Sequence, residues 1–368
     1  MDLTLTEDQE LIASTARELL ESRAATAGAR AMEDDPAGYS AALWKEMVDL
    51  GWTGLAVPEE HGGVGGGFLE VCLLFEQLGH ALVPSPLPAT VACCALPIAR
   101  YGTDAQKAEW LGAIARGSVM TCTPPAWDRP GSGVASGVRA ESAEDGFTLD
   151  GEALFVPFAA SAESVLVTAE LDGEPRAFLV DAGAPGLTIE PSGTVGLDRP
   201  CRLVFSGVHV PHARALGSDR GAADAVASYG AAALCAEMVG AAQRVLDLTL
   251  AYATEREQFG RPIGAFQAVQ HHCADMAIDV LGSRFIAYEA IWRLSAGRDA
   301  TEEVSMAKAW VGEAYERVCA LGHQVHGAIG FTKEHDLHLY SRHAMASSLA
   351  FGDGDHHLDR LSGHLGLP

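Results

Sequence analysis

Positive charge is scarce in this 368-residue sequence: 25 Lys and Arg face 49 Asp and Glu, a formal net charge of −24 spread along the chain. Such a surface repels phosphate backbones, so neither nucleic acid nor anionic membrane is an expected partner, although an anionic ligand is accommodated where a few arginines converge. No C-x-x-C pair occurs among the eight cysteines, which sit in apolar stretches and predict reduced core thiols in a cytoplasmic protein. Met1-Asp2-Leu3 opens no charged-then-apolar export pattern, and Glu, Asp, Arg or Gly interrupts every longer apolar run, so no transmembrane span is expected. No Lys follows a Gly, which removes a Walker A loop. Gly63-Val64-Gly65-Gly66-Gly67-Phe68 comes nearest to G-x-G-x-x-G and fails at its last position, and neither G-x-S-x-G nor H-E-x-x-H is present.

What is there suits a large folded protein: 48% hydrophobic and 20% charged residues exclude disorder, and the length exceeds what one core usually supports. Thr6-Glu7-Asp8-Gln9 reads as an N-cap with Gln three residues on, followed by Leu11, Ile12, Ala16, Leu19 and Leu20 at helical spacing. Further helices are expected at 39–50 and 69–78, around the turn Pro58-Glu59-Glu60-His61-Gly62-Gly63. From about Val119 short alternating runs (147–149, 164–169, 177–180, 187–189, 202–210) predict a small antiparallel sheet or barrel. After Gly221 the helical period returns, with helices expected near 223–255, 264–296, 301–321 and 336–349. The division is therefore 1–118 helical, 119–220 β and 221–368 a helical bundle. His323 and His326 lie three apart, but no carboxylate or Cys stands at a ligand spacing beside them, so no metal site is expected.

Four segments, in order, resemble the acyl-CoA dehydrogenase family. They are Leu50-Gly51-Trp52-Thr53-Gly54-Leu55-Ala56-Val57-Pro58-Glu59-Glu60-His61-Gly62-Gly63; Leu203 to Pro211 with Leu216-Gly217; Val239-Gly240-Ala241-Ala242-Gln243-Arg244 running into Arg256-Glu257-Gln258-Phe259-Gly260-Arg261-Pro262, with Gln267 beyond; and Gln324-Val325-His326-Gly327-Ala328-Ile329-Gly330-Phe331. The resemblance implies an α+β fold: an N-terminal helical domain, a middle β-barrel or sheet domain and a C-terminal four-helix bundle. It also implies FAD. In the third segment, the most specific, the resemblance implies that Arg256 and Phe259 bind the adenosine diphosphate half of an FAD held mainly by a neighbouring subunit: a guanidinium fork matches a diphosphate and an aromatic ring packs against adenine. In the fourth, Gln324 and the backbone at Gly327 and Ala328 approach the same cofactor, and Ala328 replaces the second glycine of the family's Q-x-x-G-G-x-G loop.

The resemblance further implies oxidation of the Cα–Cβ bond of an acyl thioester: a carboxylate removes the α-proton and the β-hydrogen leaves as hydride to flavin. Seven residues before Arg360, at the place of the family's base, stands Asp353, one methylene shorter than the family's glutamate. The alternative base position on the helix beginning near residue 230 carries Gly230. Glu237, the only acidic residue between Gly230 and Gly240, is expected to face elsewhere on that helix. Thr123 takes the place of the threonine at the isoalloxazine edge, Pro124 replaces a glutamate, and Pro157 replaces a hydroxyl residue near flavin N5 and lacks an amide hydrogen. The implied partners are an acyl-CoA or acyl carrier protein thioester, an electron-transferring flavoprotein as acceptor, and other subunits in a homo- or hetero-oligomer (dimer or tetramer). Altered Asp353 and Pro157 beside intact Arg256 and Gln324 keep open a second reading, a non-catalytic or half-catalytic subunit that supplies FAD contacts to an unlike chain.

Overall fold

The computed structural model describes residues 4–125 and 137–366; Met1-Asp2-Leu3, read above for export signals, lies outside the described residues. Helix α1 (Glu7–Ala27) starts as its sequence dictates: Gln9 N–H donates to Thr6 Oγ1 at 3.3 Å and Thr6 N–H donates to Gln9 Oε1 at 3.1 Å, satisfying two helix-end donors reciprocally. A short α2 (Ala29–Met32), α3 (Ala41–Asp49) and α4 (Phe68–Ala81) follow. A π-helical turn (Ala89–Ala95) then runs directly into α5 (Leu96–Tyr101), and α6 (Asp104–Ala115) carries a second capping box, Thr103 with Gln106. Periodicity does not announce the run from Ala89, because it is buried on every side and so has no polar stripe to alternate with.

Among the described residues, the middle region forms one eight-stranded sheet in the order β6-β7-β3-β2-β4-β5-β8, with β1 pairing parallel to β4. The strands are β1 (Met120–Cys122), β2 (Gly137–Ala143), β3 (Gly146–Pro157), β4 (Ser164–Leu171), β5 (Glu174–Asp181), β6 (Leu187–Pro191), β7 (Pro200–Pro211) and β8 (Ala215–Leu216). Its two faces explain the alternation. Val165, Val167, Phe178 and Val180 enter the sheet's own core, while Leu166, Ala177 and Leu179 turn the other way onto Cys93, Ile98, Leu111 and Ile114 of the helices.

The C-terminal bundle comprises α7 (Gly221–Glu255), α8 (Gln267–Ser295), α9 (Thr301–His326) and α10 (Leu337–Leu349), with a hairpin, β9 (Glu257–Gln258) and β10 (Arg261–Pro262), between the first two. A fifth helix, α11 (Gly354–His364), extends the four expected and packs on α9. Helix α7 alone among the described helices is long and apolar enough to cross a membrane, yet 78% of its apolar window is buried inside the protein, as in a core helix.

Helices α4 and α7 cross at reciprocal glycines. A Cβ at Gly79 would stand 1.9 Å from the carbonyl oxygen of Glu237, and one at Gly240 1.8 Å from that of Glu76. Only glycine lets the two backbones approach this closely. Beside the crossing, buried Glu76 accepts from both Arg284 terminal nitrogens, at 2.6 and 3.1 Å, and from the Tyr288 hydroxyl at 2.6 Å, so its buried charge is compensated. The N-terminal helices and the bundle thus share one apolar core.

Candidate active site

A cavity of about 140 Å³ opens where the three regions meet. Leu82, Val83 and Pro88, after α4, form one wall; Pro124 after β1 and Phe155, Pro157 and Phe158 at the end of β3 form a second. Gly230, Ala233, Leu234 and Glu237 of α7 and His343, Ala346 and Ser347 of α10 close it, with Asp198 from the β6–β7 connection and Phe351. The lining is mostly apolar with a few convergent polar groups, the usual character of a small-molecule site.

Glu237 faces this cavity, contrary to the register expected from the sequence. Seven residues are nearly two full helical turns, so Glu237 returns to the face that carries Gly230. Its Oε1 lies 3.3 Å from His343 Nε2. Ser347 Oγ is 3.2 Å from the same nitrogen, and His343 Nδ1 is 3.2 Å from the Tyr315 hydroxyl, which donates to Tyr340 O at 3.0 Å. Burial raises the carboxyl of Asp198 above the ordinary range, against the opposing pull of nearby His343. Sequence reading missed His343 and Asp198 altogether, because they come from elements brought together only by the fold.

Asp353 is not among the residues lining the cavity. It is the N-cap of α11, where its Oδ1 accepts from His356 N–H at 2.9 Å. Two residues earlier, Phe351 reaches the cavity from a left-handed backbone (φ 58°). Its ring packs so tightly on Gly230 that a Cβ there would meet ring carbons at 2.2 to 2.8 Å. The turn is pinned: buried Lys308, pushed down to about 8 by desolvation, donates to Ser348 O and Gly352 O at 2.8 Å each, and His357 Nε2 donates to Phe351 O at 3.0 Å. Thr123 is buried at the sheet end, its hydroxyl oxygen accepting from Thr168 N–H at 2.8 Å. Pro157 O accepts from the Thr121 hydroxyl at 2.6 Å.

The other residues expected to hold FAD gather at one end of the bundle. Arg256 caps α7, Gln267 begins α8 across the hairpin, and Gln324 lies in the last turn of α9, where His326 stacks on Tyr252 of α7 with ring centroids 4.5 Å apart. Phe259 is 92% exposed on a left-handed backbone, edge-on to Phe266, over which the Arg261 guanidinium sits. These groups fit the dinucleotide. Arg256, Gln267 and Gln324 are exposed donors suited to a diphosphate, and Phe259 offers an uncovered aromatic face. Gly327 (φ 63°, ψ −145°) holds a conformation favourable only to glycine, with open space where a Cβ would project, beside exposed Ala328. His326 donates from Nδ1 to Gly322 O, leaving Nε2 a buried acceptor with no protein partner among the described residues.

Comparison with known proteins identifies the family. Residues 6–118 match the acyl-CoA dehydrogenase N-terminal domain and residues 221–365 the C-terminal domain. Acyl-CoA dehydrogenase FadE27 of Mycobacterium tuberculosis is 31% identical over 99% of both chains. Among solved structures, the ChsE4–ChsE5 complex of the same organism superposes with a TM-score of 0.90 at 31% identity, covering 100% of this chain and 99% of that one. Butyryl-CoA dehydrogenase from Megasphaera elsdenii gives 0.88 at 28% identity, over 99% of this chain and 100% of that one. The chain belongs to the acyl-CoA dehydrogenase family of flavoprotein oxidoreductases, with FAD as its cofactor.

Proposed function

We propose that this chain, within an oligomer, oxidises the Cα–Cβ bond of an acyl thioester carried on coenzyme A or acyl carrier protein and passes the electrons to an electron-transferring flavoprotein. The observation that carries this reading is the largely apolar cavity, walled by the strand ends where the isoalloxazine edge is expected and by the bundle helices. FAD, when bound, would supply the hydride acceptor for the β-hydrogen. The chain's own residues do the rest. Arg256, Gln267 and Gln324 would pair with the diphosphate of an FAD held mainly by a neighbouring subunit, Phe259 would pack on its adenine, and the backbone at Gly327 and Ala328 would lie against that cofactor. Thr123 donates its hydroxyl proton to the ring edge, since its oxygen already accepts from Thr168. Asp353 takes the α-proton, exchanging its cap bond with His356 for the substrate at a cost of about 1 kcal/mol.

The contact of Gly230 with Phe351 favours a second reading, in which an unlike subunit supplies the base. One base position is glycine with an aromatic ring against it, and the other is engaged as a helix cap. By its description the ChsE4–ChsE5 relative is a complex of two chains. An outward apolar stripe, Ile278, Leu281 and Phe285 of α8 with Met306 and Trp310 of α9, offers surface for association. Native mass spectrometry and acyl-CoA-dependent reduction of an artificial acceptor separate the readings. A yellow, active chain purified alone, losing on the order of a hundredfold in turnover on Asp353→Asn, supports the first. Flavin and activity only on co-expression with a neighbouring gene's product, with Asp353→Asn silent, support the second. A colourless protein in both preparations refutes both.

A further inference from the structure

We propose that the cavity selects acyl thioesters whose chain carries a hydroxyl group, bound by Glu237 and His343; the inference rests on the reading of this cavity as the acyl site. The volume of about 140 Å³ sets the scale. A cavity of about this size holds benzene, so roughly six non-hydrogen atoms fit, a short chain. A hydrocarbon chain needs only the apolar walls of Leu82, Val83 and Leu234. The three ionisable groups that converge from separate elements, Asp198, Glu237 and His343, are superfluous for it.

Hydrogen-bond geometry fixes what the cluster offers. The Tyr315 hydroxyl spends its proton on Tyr340 O, so its oxygen accepts from His343 Nδ1–H. His343 Nε2 then faces Glu237 Oε1 at 3.3 Å and the Ser347 hydroxyl oxygen at 3.2 Å, so a hydroxyl donor and carboxyl and imidazole acceptors meet at one point of the cavity wall. Asp198, facing both, is biased by burial toward its neutral form. A cluster that holds a hydroxyl donor beside several acceptors suits a hydroxyl, which both donates and accepts. An ammonium only donates and a carboxylate only accepts, so each answers half of the cluster. Because the Ser347 hydroxyl already serves His343, the net gain from a hydroxyl is that of one ordinary hydrogen bond, about tenfold in affinity.

The test is calorimetric titration of the FAD-loaded protein, with its partner chain if it assembles with one, using valeryl-CoA and its ω-hydroxy and ω-amino analogues. The hydroxy analogue is expected to bind about tenfold tighter than valeryl-CoA, and Glu237→Gln and His343→Gln to erase that preference while valeryl-CoA affinity holds. Equal binding of valeryl and hydroxyvaleryl thioesters overturns the proposal and leaves the acyl site intact. Tightest binding of the amino analogue overturns it in favour of a cationic chain. No binding of any thioester sinks the acyl-site reading as well. If either variant unfolds, a thermal melt identifies it, and the other decides, since each removes one side of the pair.

Discussion

Gly230→Ala tests the contact that distinguishes this site most sharply. The new Cβ would stand 2.2, 2.5 and 2.8 Å from carbons of the Phe351 ring, against a comfortable separation of about 3.5 to 4.0 Å, so the ring must withdraw by more than about 1 Å. The backbone that carries it gives little. Phe351 sits at φ 58°, its carbonyl is bonded to His357, and the next carbonyl is held by Lys308. Overpacking into so constrained a site costs about 3 kcal/mol, the upper end of the usual range. Alanine in a helix interior recovers about 1 kcal/mol over glycine, so the net loss is about 2 kcal/mol. In a Phe351→Ala background the clash is gone and the same substitution should stabilise by about 1 kcal/mol. Urea unfolding of the four proteins, read as midpoint shifts at constant m, measures the cycle. The same sign for Gly230→Ala in both backgrounds would refute the account of this contact.

Two further perturbations probe the scaffold. Gly79→Ala drives a Cβ into the Glu237 carbonyl, an atom that cannot rotate away, and should cost about 3 kcal/mol or more; a melting temperature within a degree of wild type would contradict the close crossing. Buried His357 is held down at about 3 by burial, against 6.5 for the free side chain. The unfolded chain therefore takes up a proton below pH 6.5 while the folded one does not, so this stabilisation is complete above about 6.5 and is lost as the pH falls toward about 3. Between pH 7 and pH 5 the loss is about 2 kcal/mol, and it should shrink in His357→Gln when urea midpoints are compared at the two pH values.

Much of the architecture was legible because local rules and global packing agree. The Thr6–Gln9 box, the alternation of the strands, and Gly260-Arg261-Pro262 at the break between α7 and α8 all stand where periodicity and turn chemistry put them. Other elements gave no such sign. Helix α11 is polar and follows a Gly-Asp-Gly turn, so nothing marks it as helical except the Asp353 cap, at the position where the resemblance puts the base. The grouping of Arg256 with Gln324 at one bundle end was readable only through the resemblance, since 68 positions separate them in the chain. Glu237 was misjudged through helical phase, and His343 and Asp198 carry no sequence signal, because each is an ordinary surface-type residue until three elements converge on it.

The glycine crossing of α4 and α7 has one more consequence. With Gly79 seated on the carbonyl of Glu237 and Gly240 on that of Glu76, α7 can neither slide nor turn without a backbone collision. The carboxylate of Glu237 is therefore set at a fixed depth, like a stop in a gauge. If the cavity holds the acyl chain as proposed, retuning it for longer or shorter chains would proceed by exchanging wall side chains such as Leu82 or Leu234, because the rod that carries the stop is locked in place.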